Sequence, residues 1–286
     1  IQHVATSNDG KYLALAGGRD CVLSIYRLRM GNMWRQTEEN AEESTLTPTT
    51  TKKKKRGLTL GLTALRLIAQ PQLMARKDSF EWWSNLLGHH APVTAVHISS
   101  RWSIIASGDQ SGKLCVWDLN KRFNAVVWQR DSSLGLHYQG DEPPSRGVNL
   151  IVINAVTGDI VTCFSTWLNL WTINGDLILA HNTSNSPAQQ ITCASWMPGP
   201  DQTDEIYALV TGHRDGTIKV WRFNHLDKEQ RPNPNMTLLA QLQQHRSAVT
   251  SMYVSERRIL SGDHVGQIYA WMTKEDAEDY AKKKKL

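Results

Sequence analysis

The sequence predicts an all-β fold built from repeated antiparallel sheets, and three observations predict it. A pattern of apolar residues, Ser or Thr, Gly, a polar turn, a second Gly four residues on and an alternating run ending in Trp occurs as IASGDQSGKLCVWDL (105–119), VTGHRDGTIKVWRF (210–223) and LSGDHVGQIYAWM (260–272). Its aromatic anchors Trp117, Trp171, Trp221 and Trp271 lie 54, 50 and 50 residues apart (117 to 171, 171 to 221, 221 to 271). Upstream of the copies run strands of period two, APVTAVHIS (91–99), QQITCASWM (189–197) and SAVTSMYVS (247–255). Such a unit has two sheet faces to bury and cannot stand alone, so units stacked face to face around an axis are the natural solution.

Taken in order, the first unit opens with IQHVATSNDG, whose Asn8-Asp9-Gly10 turn joins antiparallel strands, and continues as LALAGGRDCVLSIYRL (13–28), with Tyr26 at the Trp position. It forms a partial unit over 1–30. An insertion over 31–86 follows. QTEENAEESTLTPTTTKKKKR is polar, acidic then basic, and predicts disorder. Leu58, Leu62, Leu65 and Ile68/Ala69 are near helical spacing and predict a short amphipathic helix ending near Pro71, lying on the sheets or meeting a partner or membrane surface. EWWSNLLGHH supplies an outer strand leading into the second unit, which makes Trp82 and Trp83 packing residues. Residues 87–272 carry the remaining units. The third is a shortened copy, IVTCFSTWLNLWTI (160–173), preceded by GVNLIVINAVTGD. Loops are expected at 129–147 and 227–235, and 273–286 reads as a charged tail with no strand pattern.

Composition narrows the function classes. The 286 residues are 40% hydrophobic and 21% charged, with 11 Trp against 4 Phe. Four scattered cysteines, without a CxxC pair, read as buried free thiols of a reducing compartment. No apolar run reaches the ~20 residues of a membrane-spanning helix. Net charge is +5, concentrated in Lys52, Lys53, Lys54, Lys55 and Arg56 and in Lys282 to Lys285. The first block is a candidate anionic-surface patch, against the plainer reading of a solvated linker. Elsewhere the charge is mixed, so no nucleic-acid partner is expected.

Catalytic signatures fail on inspection. SGDQSGK has its glycines too close for a phosphate loop, and no Ser or Thr follows Lys113. His89 and His90 are adjacent and cannot share a metal with good geometry. The cluster His213-Arg214-Asp215 reads as a turn in which Asp215 accepts from backbone N–H groups. The expectation is a non-enzyme with neither cofactor nor metal.

The repeats resemble the WD-repeat family of β-propellers, most clearly in GHHAPVTAV followed by IIASGDQSGKLCVWDLN, with its Gly-His opening and Trp-Asp close. The resemblance implies about five visible blades of four-stranded sheet, an incomplete seven-bladed propeller. It also implies a His, Ser/Thr, Asp and Trp hydrogen-bonded within each blade. Carried over, the second copy has His89, Ser107 and Trp117 with Ser111 at the Asp position. The third keeps Trp171. The fourth has Thr211, Asp215 and Trp221 without a placed His. The fifth has His245, Ser261 and Trp271 with Val265 at the Asp position. On this mapping no set is complete.

TGDIVTCFSTWLNLWTINGDLI (157–178), SGDQSGKLCVWDLNKRFNAVV and ITCASWMPGP…YALVTGHRDGTIKVWRF are similar to the C-terminal WD-repeat region of BEACH-domain proteins. That resemblance implies the C-terminal part of a longer scaffold in membrane traffic or autophagy. It would be cytoplasmic, peripheral on endomembranes through the rest of the protein, and would bind other proteins. The alternatives are a WD-repeat adaptor of a ubiquitin-ligase or nuclear complex, and a lipid-surface module acting through the basic insertion.

Overall fold

The computed structural model describes residues 3–17, 21–29, 79–121, 126–131, 147–198, 208–226 and 232–272. They form five antiparallel sheets in chain order. The first comprises β1 (His3–Thr6), β2 (Tyr12–Ala16), β3 (Val22–Arg29) and β4 (Ser79–Leu87), and the second β5 (Val93–Ser99), β6 (Ile104–Asp109), β7 (Lys113–Asp118) and β8 (Val126–Asp131). The third comprises β9 (Leu150–Ile153), β10 (Ile160–Phe164), β11 (Trp167–Trp171) and β12 (Leu177–Asn182), and the fourth β13 (Ile191–Met197), β14 (Ala208–His213), β15 (Thr217–Leu226) and β16 (Pro232–Gln243). The fifth has three strands among the described residues, β17 (Val249–Val254), β18 (Arg258–Asp263) and β19 (Ile268–Met272). Each sheet runs strand to neighbouring strand. The first strands of successive sheets touch, β1 to β5, β5 to β9, β9 to β13 and β13 to β17, and so line the inside of the array.

One expectation needs correction. The stretch read as insertion up to 86 includes most of β4, which pairs with β3 from Val22–Leu87 to Arg29–Ser79 and completes the first sheet rather than opening the second. That pairing gives the strand one packed face: Ser84 and Leu86 are buried, whereas Leu87 points outwards and is 70% exposed. The run expected to be disordered, the expected helix over Leu58–Ala69, the Lys52–Arg56 block and the tail all lie outside the described residues.

Each aromatic anchor faces the back of the preceding sheet. Trp117 shares a buried cluster with Ala14, Ala16, Leu23 and Ile25 of the first sheet. Trp171 does so with Ala106, Leu114 and Val116 of the second, and Trp221 with Val161, Cys163, Leu168 and Leu170 of the third. Trp271 packs against the cluster holding Val210, Ile218 and Val220. A buried indole removes roughly 150–250 Å² from water, about 4–6 kcal/mol of transfer free energy, so the even Trp spacing is a spacing of inter-sheet seams.

The two glycines of the repeat have different tasks. The first lets the next sheet approach: a Cβ at Gly108 would lie 2.5 Å from the Val148 side chain, and one at Gly212 2.9 Å from Val249. The second turns the chain, with φ of +94° at Gly112, +86° at Gly216 and +85° at Gly266.

On the fifth sheet the seam surface has no cover among the described residues. Leu260 and Ile268 occupy the positions of buried Val210 and Ile218, yet are 41% and 76% exposed. Thr192 Oγ1 reaches Val249 O of the next sheet at 2.5 Å, whereas the equivalent Thr250 Oγ1 donates to Gly262 O of its own sheet at 3.3 Å. Replacing Leu260 by Ser and Ile268 by Thr together should therefore lower self-association in light scattering. Stability should change by less than about 0.5 kcal/mol per site. A large fall in Tm would show that this face is packed.

Candidate functional site

In a strand, side chains two residues apart share a face. Ser107 and Asp109 on β6 therefore both point at His89, which lies just before β5. Trp117 Nε1 donates to Ser107 Oγ at 2.7 Å, and Ser107 Oγ lies 2.7 Å from His89 Nε2. His89 Nδ1 lies 2.8 Å from Asp109 Oδ2. A carboxylate only accepts, so Nδ1 carries the proton. Burial holds the His89 pKa below its ordinary value, against the opposing pull of Asp109, which leaves Nε2 to accept from the Ser107 hydroxyl. Asp109 Oδ1 in turn accepts from Ser111 N, Ser111 Oγ and Lys113 N at 2.9, 2.6 and 3.0 Å. Burial would raise the Asp109 pKa, but Ser111, His89 and Lys113 N outweigh it and hold the carboxyl below the usual range.

The fifth sheet repeats this set. Trp271 Nε1 donates to Ser261 Oγ at 2.8 Å, His245 Nε2 is 2.7 Å from the same oxygen, and His245 Nδ1 is 3.0 Å from Asp263 Oδ2. Asp263 Oδ1 accepts from Val265 N and Gln267 N. The second and fifth sets are thus complete. Their aspartates are Asp109 and Asp263, and the positions assigned from the sequence to Ser111 and Val265 belong to the turn those aspartates hold.

The fourth sheet is built differently. Trp221 Nε1 donates to Thr211 Oγ1 at 2.9 Å, and the imidazole on that oxygen is His213, its Nε2 at 2.9 Å. His213 closes β14 at the position taken elsewhere by Asp, is fully buried and donates from Nδ1 to Gln189 O at 2.8 Å. Its reading as a turn residue is overturned. Arg214 and Asp215 do lie in the turn, where Asp215 accepts from Thr217 N at 2.9 Å and from Gln189 Nε2 at 2.8 Å. The third sheet keeps only Trp171 Nε1 to Thr162 Oγ1 at 3.0 Å, with Phe164 at the Asp position. In the first sheet Leu15 stands where the hydroxyl would be.

Ser107, His89 and Asp109 have the order of a hydrolase triad, so access decides what the set can do. Ser107 and Asp109 are 0% exposed, and Ser107 Oγ already accepts from an indole inside the sheet seam. No substrate carbonyl can reach it, and the set acts as a structural clasp. Among the described residues no three His, Cys, Asp or Glu are grouped to hold a metal, and no helix is long and apolar enough to cross a membrane. None of the four cysteines forms a disulfide. Burial pushes the Cys115 thiol up to about 12 and Cys193 to about 11, so neither is a nucleophile at neutral pH.

One concave feature opens on the outside of the sheets. A cavity of about 350 Å³ on the second sheet is lined by Ser111, Lys113, Gln129, Arg130 and Asp131. Arg130 is held there by Gly175 O at 2.9 Å and by the Trp128 ring, 5.8 Å from its guanidinium.

Stacked four-stranded sheets clasped by Trp–hydroxyl–His–Asp sets define a WD-repeat β-propeller architecture. The chain carries such repeats: residues 83–118 and 179–222 match the WD domain, G-beta repeat. It is similar to the Protein SPIRRIG of Arabidopsis thaliana (30% identical over 208 residues, 65% of this chain and 5% of that one). It is likewise similar to BEACH domain-containing protein A2 of the same plant (29%, 65% and 6%). The WD repeat- and FYVE domain-containing protein 4 of Homo sapiens matches at 28% identity over 217 residues, 65% of this chain and 6% of that protein. The chain thus spans about a twentieth of the length of these relatives. It carries WD repeats and is similar to BEACH-type proteins over 65% of its length.

Proposed function

We propose that the chain is the non-catalytic interaction part of a BEACH-type scaffold in vesicle traffic or autophagy, cytoplasmic and peripheral on endomembranes through the rest of the protein. One observation carries the non-catalytic reading: every hydroxyl–imidazole pair of the described residues is sealed in a seam between sheets, while the loops and the Lys113–Arg130 cavity face outwards. Rigid sheets that hold loops in fixed positions suit partner binding. The similarity to BEACH domain-containing proteins supports the trafficking setting.

Proximity labelling from the tagged full chain in cells tests this reading. The labelled set should be dominated by endomembrane and autophagic proteins. A set made up of nuclear-complex or ubiquitin-ligase subunits overturns it.

A further inference from the structure

We propose that the seam between the third and fourth sheets is a proton-operated switch, in which protonation of His213 beside the buried Lys219 releases the fourth sheet from the third while the clasps of the second and fifth sheets hold.

The argument starts from an odd residue. Lys219 lies on β15 opposite Thr211 and is only 5% exposed. Its Nζ donates to Thr183 O, just past β12 of the third sheet, and to Gln189 Oε1, both at 2.9 Å. Gln189 then binds Asp215 through its Nε2 and His213 through its main-chain oxygen. One glutamine therefore ties together the lysine, the carboxylate and the imidazole, and Lys219 ties that knot to the neighbouring sheet.

The hydrogen bonds fix the state of His213. Its Nδ1 donates to a carbonyl, and its Nε2 accepts from Thr211, whose oxygen is also the acceptor for Trp221. A proton on Nε2 turns that nitrogen into a donor and aims two N–H groups at one hydroxyl oxygen. The Thr211 hydroxyl must then turn to Lys219 O, 3.5 Å away. In the second and fifth sheets an added proton would create an imidazolium bonded directly to Asp109 or Asp263. His213 has no such carboxylate on it.

The charges facing His213 reinforce the contrast. On β15 stands Lys219. On the turn stand Asp215, already engaged by Gln189 and Thr217, and exposed Arg214. From β12 comes His181, whose ring meets Trp221 edge-on with centroids 5.2 Å apart. Cys193 on β13 lies against Gly212, and His245 and Arg246 belong to the segment packed on Gly216, with the His245 ring taken by Asp263. On acidification the seam can gather three cations, His181, His213 and Lys219, against one carboxylate. Burial lowers the pKa of His213 and of His181, and Lys219 lowers both further, with Gln189 O and Asp215 opposing at His213; burial lowers His89 as well, but there the directly bonded Asp109 carboxylate pulls the other way and would pair with the imidazolium. A histidine with a lowered folded pKa contributes stability that is present above its unfolded value near 6.5 and drains as pH falls below it.

Hydrogen exchange of the full chain at pH 7.5 and pH 5.5, corrected for intrinsic rates, tests the switch. Peptides within 177–197 and 208–222 should lose protection at pH 5.5 by tenfold or more, and those within 105–118 and 259–271 by clearly less. His213→Gln should abolish the extra loss. Lys219→Met, which leaves the imidazole in place, should shrink it. Equal loss in all sheets overturns the proposal, as does an undiminished response in His213→Gln. Should that variant fail to fold, an undiminished response in Lys219→Met overturns it alone.

Discussion

Asp109→Ala should destabilise the protein by about 3–5 kcal/mol, because it strands the buried His89 Nδ1 and two turn N–H groups at roughly 1–3 kcal/mol each, offset in part by local relaxation. For a chain of this size that is a fall in Tm of roughly 10 °C. Ser111→Ala should cost less than about 1 kcal/mol, since Asp109 Oδ1 keeps Ser111 N and Lys113 N and loses only one hydroxyl bond. The pair discriminates between two assignments of the clasp. Thermal unfolding of both variants should show the aspartate, not the serine, as the residue that sets the stability of this sheet. Comparable losses, or a larger loss in Ser111→Ala, would mean that the carboxylate is replaceable and the clasp rests on Ser107 and Trp117 alone.

The same residues show what the sequence could and could not reveal. The sheets were legible because their spacing is a consequence of packing: one indole per seam, one glycine where the next sheet approaches, one where the turn needs positive φ. The clasp was half legible. Its His, hydroxyl and Trp in the second and fifth copies are where the family resemblance puts them. The family mapping puts the aspartate in the turn, four residues after Ser107 or Ser261, but it stands two residues after, in Ser-Gly-Asp, where strand alternation aims it at the histidine. That signal was present in both copies and could have been read from period two alone.

His213 was a harder case. Thr-Gly-His in the fourth copy has the same spacing as Ser-Gly-Asp, yet nothing local says that a histidine there will reach the hydroxyl directly and take the place of one arriving from before the first strand. The decisive partners, Gln189 and Lys219, are 24 and 6 residues away and belong to other elements. A buried lysine reads as a surface residue in any alternating strand, and only the carbonyl of Thr183 on the neighbouring sheet explains it. Similarly, most of β4 falls within the stretch assigned to the insertion, because some fifty residues separate it from β3, its pairing partner.

Gly216→Ala should destabilise the protein by about 3–4 kcal/mol. Gly216 and Gly266 are equivalent, with φ of +86° and +85°, so an alanine at either carries the left-handed penalty of about 1–2 kcal/mol. Their surroundings differ. A Cβ at Gly216 would lie 2.5 Å from His245 O and 3.0 Å from Ser247 O, main-chain atoms of the segment that leads from the fourth sheet into the fifth. At Gly266 nothing lies within 4 Å. Relief at Gly216 would need the His245 backbone to shift, and His245 is fixed by Ser261 and Asp263 at 2.7 and 3.0 Å. Overpacking of this kind costs about 1–3 kcal/mol beyond the dihedral strain. Urea unfolding should therefore separate the two variants by roughly 2 kcal/mol, with Gly266→Ala the milder. Equal losses would mean that the turn of the fourth sheet does not bear on the entry to the fifth, and that the seam between them is set by Trp271 and Val249 rather than by main-chain contact.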